Sequence, residues 1–423
     1  MTTAPRTSSA QGPEAACPRP AAAPQGRPAA PVRDLLAGWE PGDFLLERWG
    51  GGVLARGVAH RIEIPAGAEL PRRAARFAAR ALASSGTAAG MVVGALPFGG
   101  EAPAELVVPA AVTWSPPAGD RGRGFVPAAS PAATLPAPRP PAHAAAPMAW
   151  RAMPSAADFA ASVGEAIRRI RAGELEKVVL ARALRGPNPG VDARALLGAL
   201  RAADPGAHVF AASAGPGRVF LGATHETLVR RAGPSVLALP QAGTAARSPD
   251  PVRDREAAAA LAGSEKERHE HAIVVDAVTE SLAPFCSELR ADPEPRLVAT
   301  SAVWHLESRV EGRLRGSPGA LDLAAALHPT PAVCGSPTPV ARRLITELEP
   351  EARGLYGGLA GWMDARGDGE WVVSLRCALL DPGGVLLHAG VGVVAESDPD
   401  AEVAETDAKF RTVLDAVRAL GLS

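Results

Sequence analysis

From Ser155 to the C-terminus, apolar residues recur at helical spacing in some stretches and at strand spacing in others. This interleaving is what most restricts the folds open to the chain. Ser155 and Asp158 head a stripe of Phe159, Val163, Ile167 and Ile170, the pattern of a capped amphipathic helix. Lys177 to Arg182 (KVVLAR) then reads as a strand, Ala193–Ala203 as a helix, and His208–Ala212 and Arg218–Gly222 as strands. A long helix is predicted over Ser264–Leu282, with Ile273, Val274, Ala277, Val278 and Leu282 on one side. Trp304–Arg313 reads as one strand, Ala320–Leu327 and Val340–Leu348 as helices, Glu370–Leu379 and Val385–Val394 as consecutive strands, and Glu402–Leu420 as a last helix. Upstream, Phe44–Ile64 reads as strands, Arg72–Ser85 as a helix and Met91–Val108 as strands and turns. The alternation is irregular and shows no internal repeat, so a mixed α/β (α+β) domain is expected rather than a βαβ array.

A chain of 423 residues allows one large domain or two to three smaller ones. Residues 1–31 are rich in Pro, Ala and Ser without a periodic apolar face, and are expected to form a disordered tail. A second biased stretch, 116–147, is expected to be an exposed excursion from a single catalytic domain over 32–423. With 44 basic and 45 acidic residues the balance argues against a nucleic-acid partner and for a small molecule. Cys17, Cys286, Cys334 and Cys377 show no CxxC spacing and suit a reducing cytosol. Residues 1–34 lack the continuous apolar run of a signal peptide. The longest uncharged stretch, Ala81 to Gly100, reads as a helix end running into a strand. A cytoplasmic protein away from the membrane is expected.

Polar residues of the second half cluster in ways that core packing does not require. Glu402, Glu405 and Lys409 fall on roughly one helical face, which is either a solvated ion-paired surface or part of a site. In SEKERHEH (264–271), Glu270 can face inward beside Val274 and Ala277, whereas His269 and His271 read as surface or structural residues. Two inward carboxylates on separate helices suit a hard cation such as Mg²⁺, and no His/Cys spacing supports zinc. Arg376, within WVVSLRC, would need a carboxylate partner if buried in a strand, and a ligand could provide it. Ala389-Gly-Val-Gly392 would let backbone N–H groups approach a ligand closely. Lys177 opens an apolar strand and Glu226 follows one. A desolvated lysine loses basicity and a desolvated glutamate holds its proton, so the two could serve as base and acid. The residues alone leave the reaction open.

Read in order, KVVLAR (177–182), FLGATHETL (220–228), AGT (242–244), SEKERHEH (264–271), VWHL (303–306), LHPTPAVCGSP (327–337), ELEPEARGLYGGLAGW (347–362), GDGEWVVSLRCA (367–378), HAGVGVV (388–394) and EVAETDAKF (402–410) resemble the chorismate-utilizing enzymes. The resemblance runs from about Phe159 to the C-terminus and is nearest the siderophore-type isochorismate synthases. It implies two large, mainly antiparallel sheets packed on each other with flanking helices, a cleft between them, and Mg²⁺-dependent use of chorismate. It further implies Glu270 and Glu405 as metal ligands, with Glu402 contacting the metal through water. Lys177 resembles the base that activates water for attack at C2, and Glu226 the acid that protonates the departing C4 hydroxyl. Arg376, Lys409 and the backbone at Gly390 resemble the cradle for the enolpyruvyl carboxylate. Gly243 and Thr244 resemble the group beside the ring carboxylate, and His305 a residue near the ring.

Within that family, ammonia users typically lack lysine at the position of Lys177. Aminodeoxychorismate synthases carry a lysine where this chain has Ala242. Both differences imply water as nucleophile and no glutaminase subunit, against anthranilate or aminodeoxychorismate synthase. Salicylate synthase, which also uses the lysine, is the closer alternative, but HPTPAVCG resembles the isochorismate synthases. A monomer is expected.

Overall fold

Strands built on alternating Val, Leu and Ala assemble into two large sheets in which every paired ladder is antiparallel. In the computed structural model, residues 34–48, 51–84, 90–115 and 148–421 are described. The expected tail at 1–31 and the 116–147 excursion lie outside them.

The first sheet has ten strands. Near one edge the long strand Lys177–Gly186 pairs with Gly384–Val393, followed across the sheet by Cys377–Asp381, Val219–Thr224, His208–Ser213 and Phe44–Arg48. The second has nine, among them Thr227–Ala232, Gly369–Val373, Leu359–Asp364 and Met91–Leu96 side by side. Phe44, Leu46, Phe210 and Phe220 of the first sheet pack with Val93, Ala360 and Val372 of the second in one buried cluster, so the sheets meet face to face. The outer face of the first is covered by the helices Ala193–Ala203 and Pro399–Ala419, through Leu196, Leu200, Phe410 and Val417. The outer face of the second is covered by Leu70–Ser84 and Ala320–Leu327. Residues facing two apolar layers must be apolar on both sides. That is why Met91–Leu96 is buried at all six positions.

Helix starts follow the predicted chemistry. The Ser155 hydroxyl accepts from the Asp158 N–H, and Ser264 caps the helix Glu265–Leu282 through the Glu267 N–H. The uncharged stretch after residue 81 is a helix end followed by the strand Met91–Leu96, and no helix among the described residues is long and apolar enough to cross a membrane. The helix Pro251–Gly263, capped by Asp250, was not predicted, because its apolar face is little more than Ala258 and Leu261.

Two predicted strands are each divided. Glu370–Leu379 is really Gly369–Val373 in the second sheet and Cys377–Asp381 in the first, with Ser374–Arg376 crossing between them. Arg376 is therefore not mid-strand. It takes φ +48° at the crossing, a left-handed turn that strand alternation does not reveal. Trp304–Arg313 similarly divides into Val303–Glu307, in a small three-stranded sheet, and Val310–Leu314 in the second large sheet.

Candidate active site

The crossing at Arg376 has a partner. Val219–Thr224 lies in the first sheet and Thr227–Ala232 in the second, so His225 and Glu226 occupy a second crossing beside the first. The ladder continues through both: Ala223 N–H donates to Arg376 O at 3.1 Å and Val373 N–H to Glu226 O at 3.0 Å. Where two paired strands change sheets together they leave a gap, and a cavity lies there within about 940 Å³ of non-atom space that is partly open to solvent. Glu226, Gly243, Thr244, Glu270, His305, Arg376, Gly390, Glu405 and Lys409 all line it. Nine residues singled out from sequence, spread over 184 positions, thus converge on one space.

Lys177 and Glu402 stand just behind the wall. Lys177, the first residue of its strand, is fully buried, and its Nζ lies 2.8 Å from Glu270 Oε1 at an angle too poor for a hydrogen bond. Gly392 allows this: a Cβ there would fall 2.2 Å from Glu270 Oε1 and 3.0 Å from Lys177 Cε. Glu402 is buried 3.6 Å from Lys266 Nζ.

Burial pushes the Glu226 carboxyl up to about 8; the Lys177 charge opposes this and the Glu307 charge adds to it. Glu226 is consequently a neutral acid at pH 7. Glu402 is pushed up to about 7, by burial first and then by Glu405. Glu267 is also raised, by burial and then by Glu270. Four carboxylates therefore crowd one end of the cavity, countered by Lys177, Lys266 and Lys409.

Next to these carboxylates, Gly243 takes φ +76° at a bulge in the ladder with Val303–Glu307, and its carbonyl lies against His305. His305 Nδ1 lies 3.1 Å from that carbonyl and 3.2 Å from Thr244 Oγ1, while Nε2 accepts from Arg376 at 3.3 Å. These partners assign a neutral ring with hydrogen on Nδ1, in agreement with burial and then Arg376 holding its pKa well below the usual value. Burial likewise lowers the Arg376 pKa, and the guanidinium has no ion pair among the described residues. Lys409 Nζ is held 2.5 Å from Glu405 Oε1 and donates to Gly390 O at 2.8 Å. The glycine run was expected to offer N–H groups. Instead it pairs residue for residue with Val179–Arg182, and Gly390 presents its carbonyl to the ammonium.

The family model described as chorismate binding enzyme matches residues 132–418. The chain belongs to the chorismate-binding enzyme family. It is similar to the isochorismate synthase DhbC of Bacillus subtilis, 40% identical over 92% of this chain and 96% of that one. The crystal structure of DhbC from Bacillus anthracis is 34% identical, covers 93% of this chain and 100% of its own, and superposes with a TM-score of 0.80. The menaquinone-specific isochorismate synthase MenF of Escherichia coli, 24% identical over 90% of each chain, shares the fold with a TM-score of 0.70.

Several residues in or beside the cavity wall of this chorismate-binding enzyme were not singled out from sequence. Glu267 lies one helical turn before Glu270 and accepts the Thr244 N–H at 3.0 Å, so the i−3 spacing was the available signal. Tyr356, stacked on His388 at 5.2 Å, and the Asp204–His225 pair come from loops and strand ends whose local pattern carries no such signal. His271 is structural, 2.8 Å from Ser308 Oγ, and His269 is exposed.

Proposed function

We propose that this chain is an isochorismate synthase: an isomerase that moves the ring hydroxyl of chorismate from C4 to C2 with Mg²⁺. The observation that carries the reading is the pairing of a buried lysine, Lys177, with a carboxyl, Glu226, that keeps its proton up to about pH 8. Hydroxyl exchange needs one group to take a proton from water and another to give one to the leaving oxygen.

Among the described residues no three acidic, imidazole or thiol groups form a ready-made metal cage. The donor set still fits Mg²⁺, which takes one or two carboxylates and completes its shell with water and an anionic ligand. The crowded, upward-shifted carboxylates at one end of the cavity are the feature a cation would relieve. Glu270 and Glu405 would hold it, with Glu402 reached through water. Bound there, Mg²⁺ would supply the positive charge that lets a substrate carboxylate approach the glutamates.

Chorismate is a dianion, and different groups of the wall take its two carboxylates. Gly243 and Thr244 border the ring carboxylate, His305 lies by the ring, and Arg376, Lys409 and Gly390 receive the enolpyruvyl carboxylate. A half-buried guanidinium without an ion pair among the described residues is suited to such a ligand. Lys177 Nζ takes a proton from water as the C2–O bond forms. The ring double bonds shift, the C4–O bond breaks, and the Glu226 proton passes to the departing hydroxyl, so one water enters and one leaves. The base must be an uncharged amine, so the Lys177–Glu270 contact has to loosen before attack. We further read the protein as a cytoplasmic monomer working without an ammonia-supplying subunit.

Purified protein incubated with chorismate and Mg²⁺ is expected to yield isochorismate. Salicylate with pyruvate would assign the salicylate synthase activity instead, and anthranilate formed on adding ammonia would overturn the choice of nucleophile.

A further inference from the structure

Beside Glu226 the cavity wall carries a buried pair that the reaction above does not use. Asp204 closes the helix Ala193–Ala203, and its Oδ2 lies 2.9 Å from His225 Nε2. The same oxygen accepts the Ser301 N–H at 3.1 Å. Burial by itself would raise the Asp204 carboxyl, but the hydrogen bonds it accepts from His225 and Ser301 bring it below its ordinary value. Asp204 thus remains an acceptor, and the hydrogen of a neutral His225 ring sits on Nε2. Gly206 leaves room for the ring, since a Cβ there would stand 3.3 Å from His225 Cε1. This arrangement turns the other nitrogen, Nδ1, into a lone-pair acceptor. It is buried and has no hydrogen-bond partner among the described residues, on a residue only 8% exposed that lines the same cavity as Glu226.

We propose that His225 Nδ1 accepts a hydrogen bond from the substrate hydroxyl that Glu226 protonates, with Asp204 as the positioning residue that holds the ring for this contact. The inference rests on the isochorismate synthase reading and adds a substrate contact to it. An O–H group whose hydrogen is taken by His225 keeps its oxygen lone pairs free, and one of them must face Glu226 for protonation to occur. A neutral imidazole suits this role because it accepts without competing with Glu226 as a proton donor. The adjacency of 225 and 226 at the sheet crossing delivers acceptor and acid together to one oxygen.

Two substitutions separate the ring nitrogens. His225→Gln places its amide near the Nε2 position, keeping a contact to Asp204 while removing the acceptor at Nδ1. His225→Asn keeps an oxygen near the Nδ1 position and gives up Asp204. Each is assayed by kcat/KM for chorismate and by the inhibition constant of 4-deoxychorismate, the same dianion without the hydroxyl. His225→Gln is expected to lower kcat/KM roughly tenfold or more, the loss of one buried hydrogen bond, while the analogue binds within about twofold of wild type. His225→Asn is expected to recover most of the lost kcat/KM. Equal weakening of both ligands by His225→Gln, or no change in either, would overturn the contact. Wild-type protein that forms no isochorismate would overturn the underlying reading instead, and the two failures are distinct.

Discussion

Lys177 Nζ and Glu270 Oε1 lie 2.8 Å apart over a glycine, Gly392, whose missing side chain is the space they occupy. One residue is the proposed base and the other a proposed metal ligand. The backbone beneath them accordingly tolerates no side chain, although Gly392 itself takes part in no chemistry.

Gly392→Ala tests this packing. The nearest obstacle is the end of the flexible Glu270 side chain, so the carboxylate is expected to move while the fold survives. Turnover should fall by about 10²-fold with only a small change in melting temperature, because misplaced reacting groups cost rate before they cost stability. A kcat near wild type would show that Glu270 is not held for a purpose.

Glu226 should set a basic limb in the pH profile. Its protonated form is the active one, so kcat is expected to decline as pH rises through about 8. Stability should respond as well. The folded carboxyl holds its proton to about 8, whereas the unfolded one releases it near 4.5, so the folded state binds the extra proton between those values. Glu226 therefore contributes a fall in stability with rising pH across that window, and Glu226→Gln removes that contribution while abolishing turnover. Parallel denaturation curves for the two proteins from pH 5 to 8 would contradict this.

Lys177→Met keeps most of the buried side-chain volume and removes the amine. Turnover is expected to drop by roughly 10²–10⁴-fold while chorismate still binds, measured by steady-state kinetics and calorimetry. A variant with normal kcat would remove Lys177 from the mechanism.

Glu405→Gln alters the carboxylate that Lys409 now holds at 2.5 Å. Apparent affinity for Mg²⁺ and for chorismate should weaken together, by about tenfold or more for a lost ligand, in titrations of one at fixed concentrations of the other. Unchanged Mg²⁺ dependence would take Glu405 out of the metal site.

Arg376→Lys preserves charge but not the planar fork. It is expected to raise KM for chorismate more than it lowers kcat, since the guanidinium is half-buried with no ion pair among the described residues and suits a bidentate carboxylate contact.

Much of this site was legible in the chain. Lys177 at the head of an apolar strand, Glu270 on the inner side of a helix, and Glu402, Glu405 and Lys409 on one helical face all follow from spacing of 2 or 3.6 residues, and the structure keeps those spacings. Arg376 was chosen for a sound reason, a cation in an apolar run, but was placed in the wrong backbone state. Alternation records which face a side chain takes, not which sheet the strand belongs to, so neither the crossing at 374–376 nor the one at 225–226 leaves a periodic trace.

The chain's own pattern determined the elements, their caps and the chemical types gathered in the second half, because those depend on neighbours a few bonds away. Tertiary structure decided that Glu226 and Arg376 face one cavity, that Lys409 is tied to Glu405 and Gly390, and that Glu226 keeps its proton near neutrality. Each of these depends on burial and on charges brought close through the packing of two sheets. No run of consecutive residues encodes a distance between parts of the chain that meet only when folded.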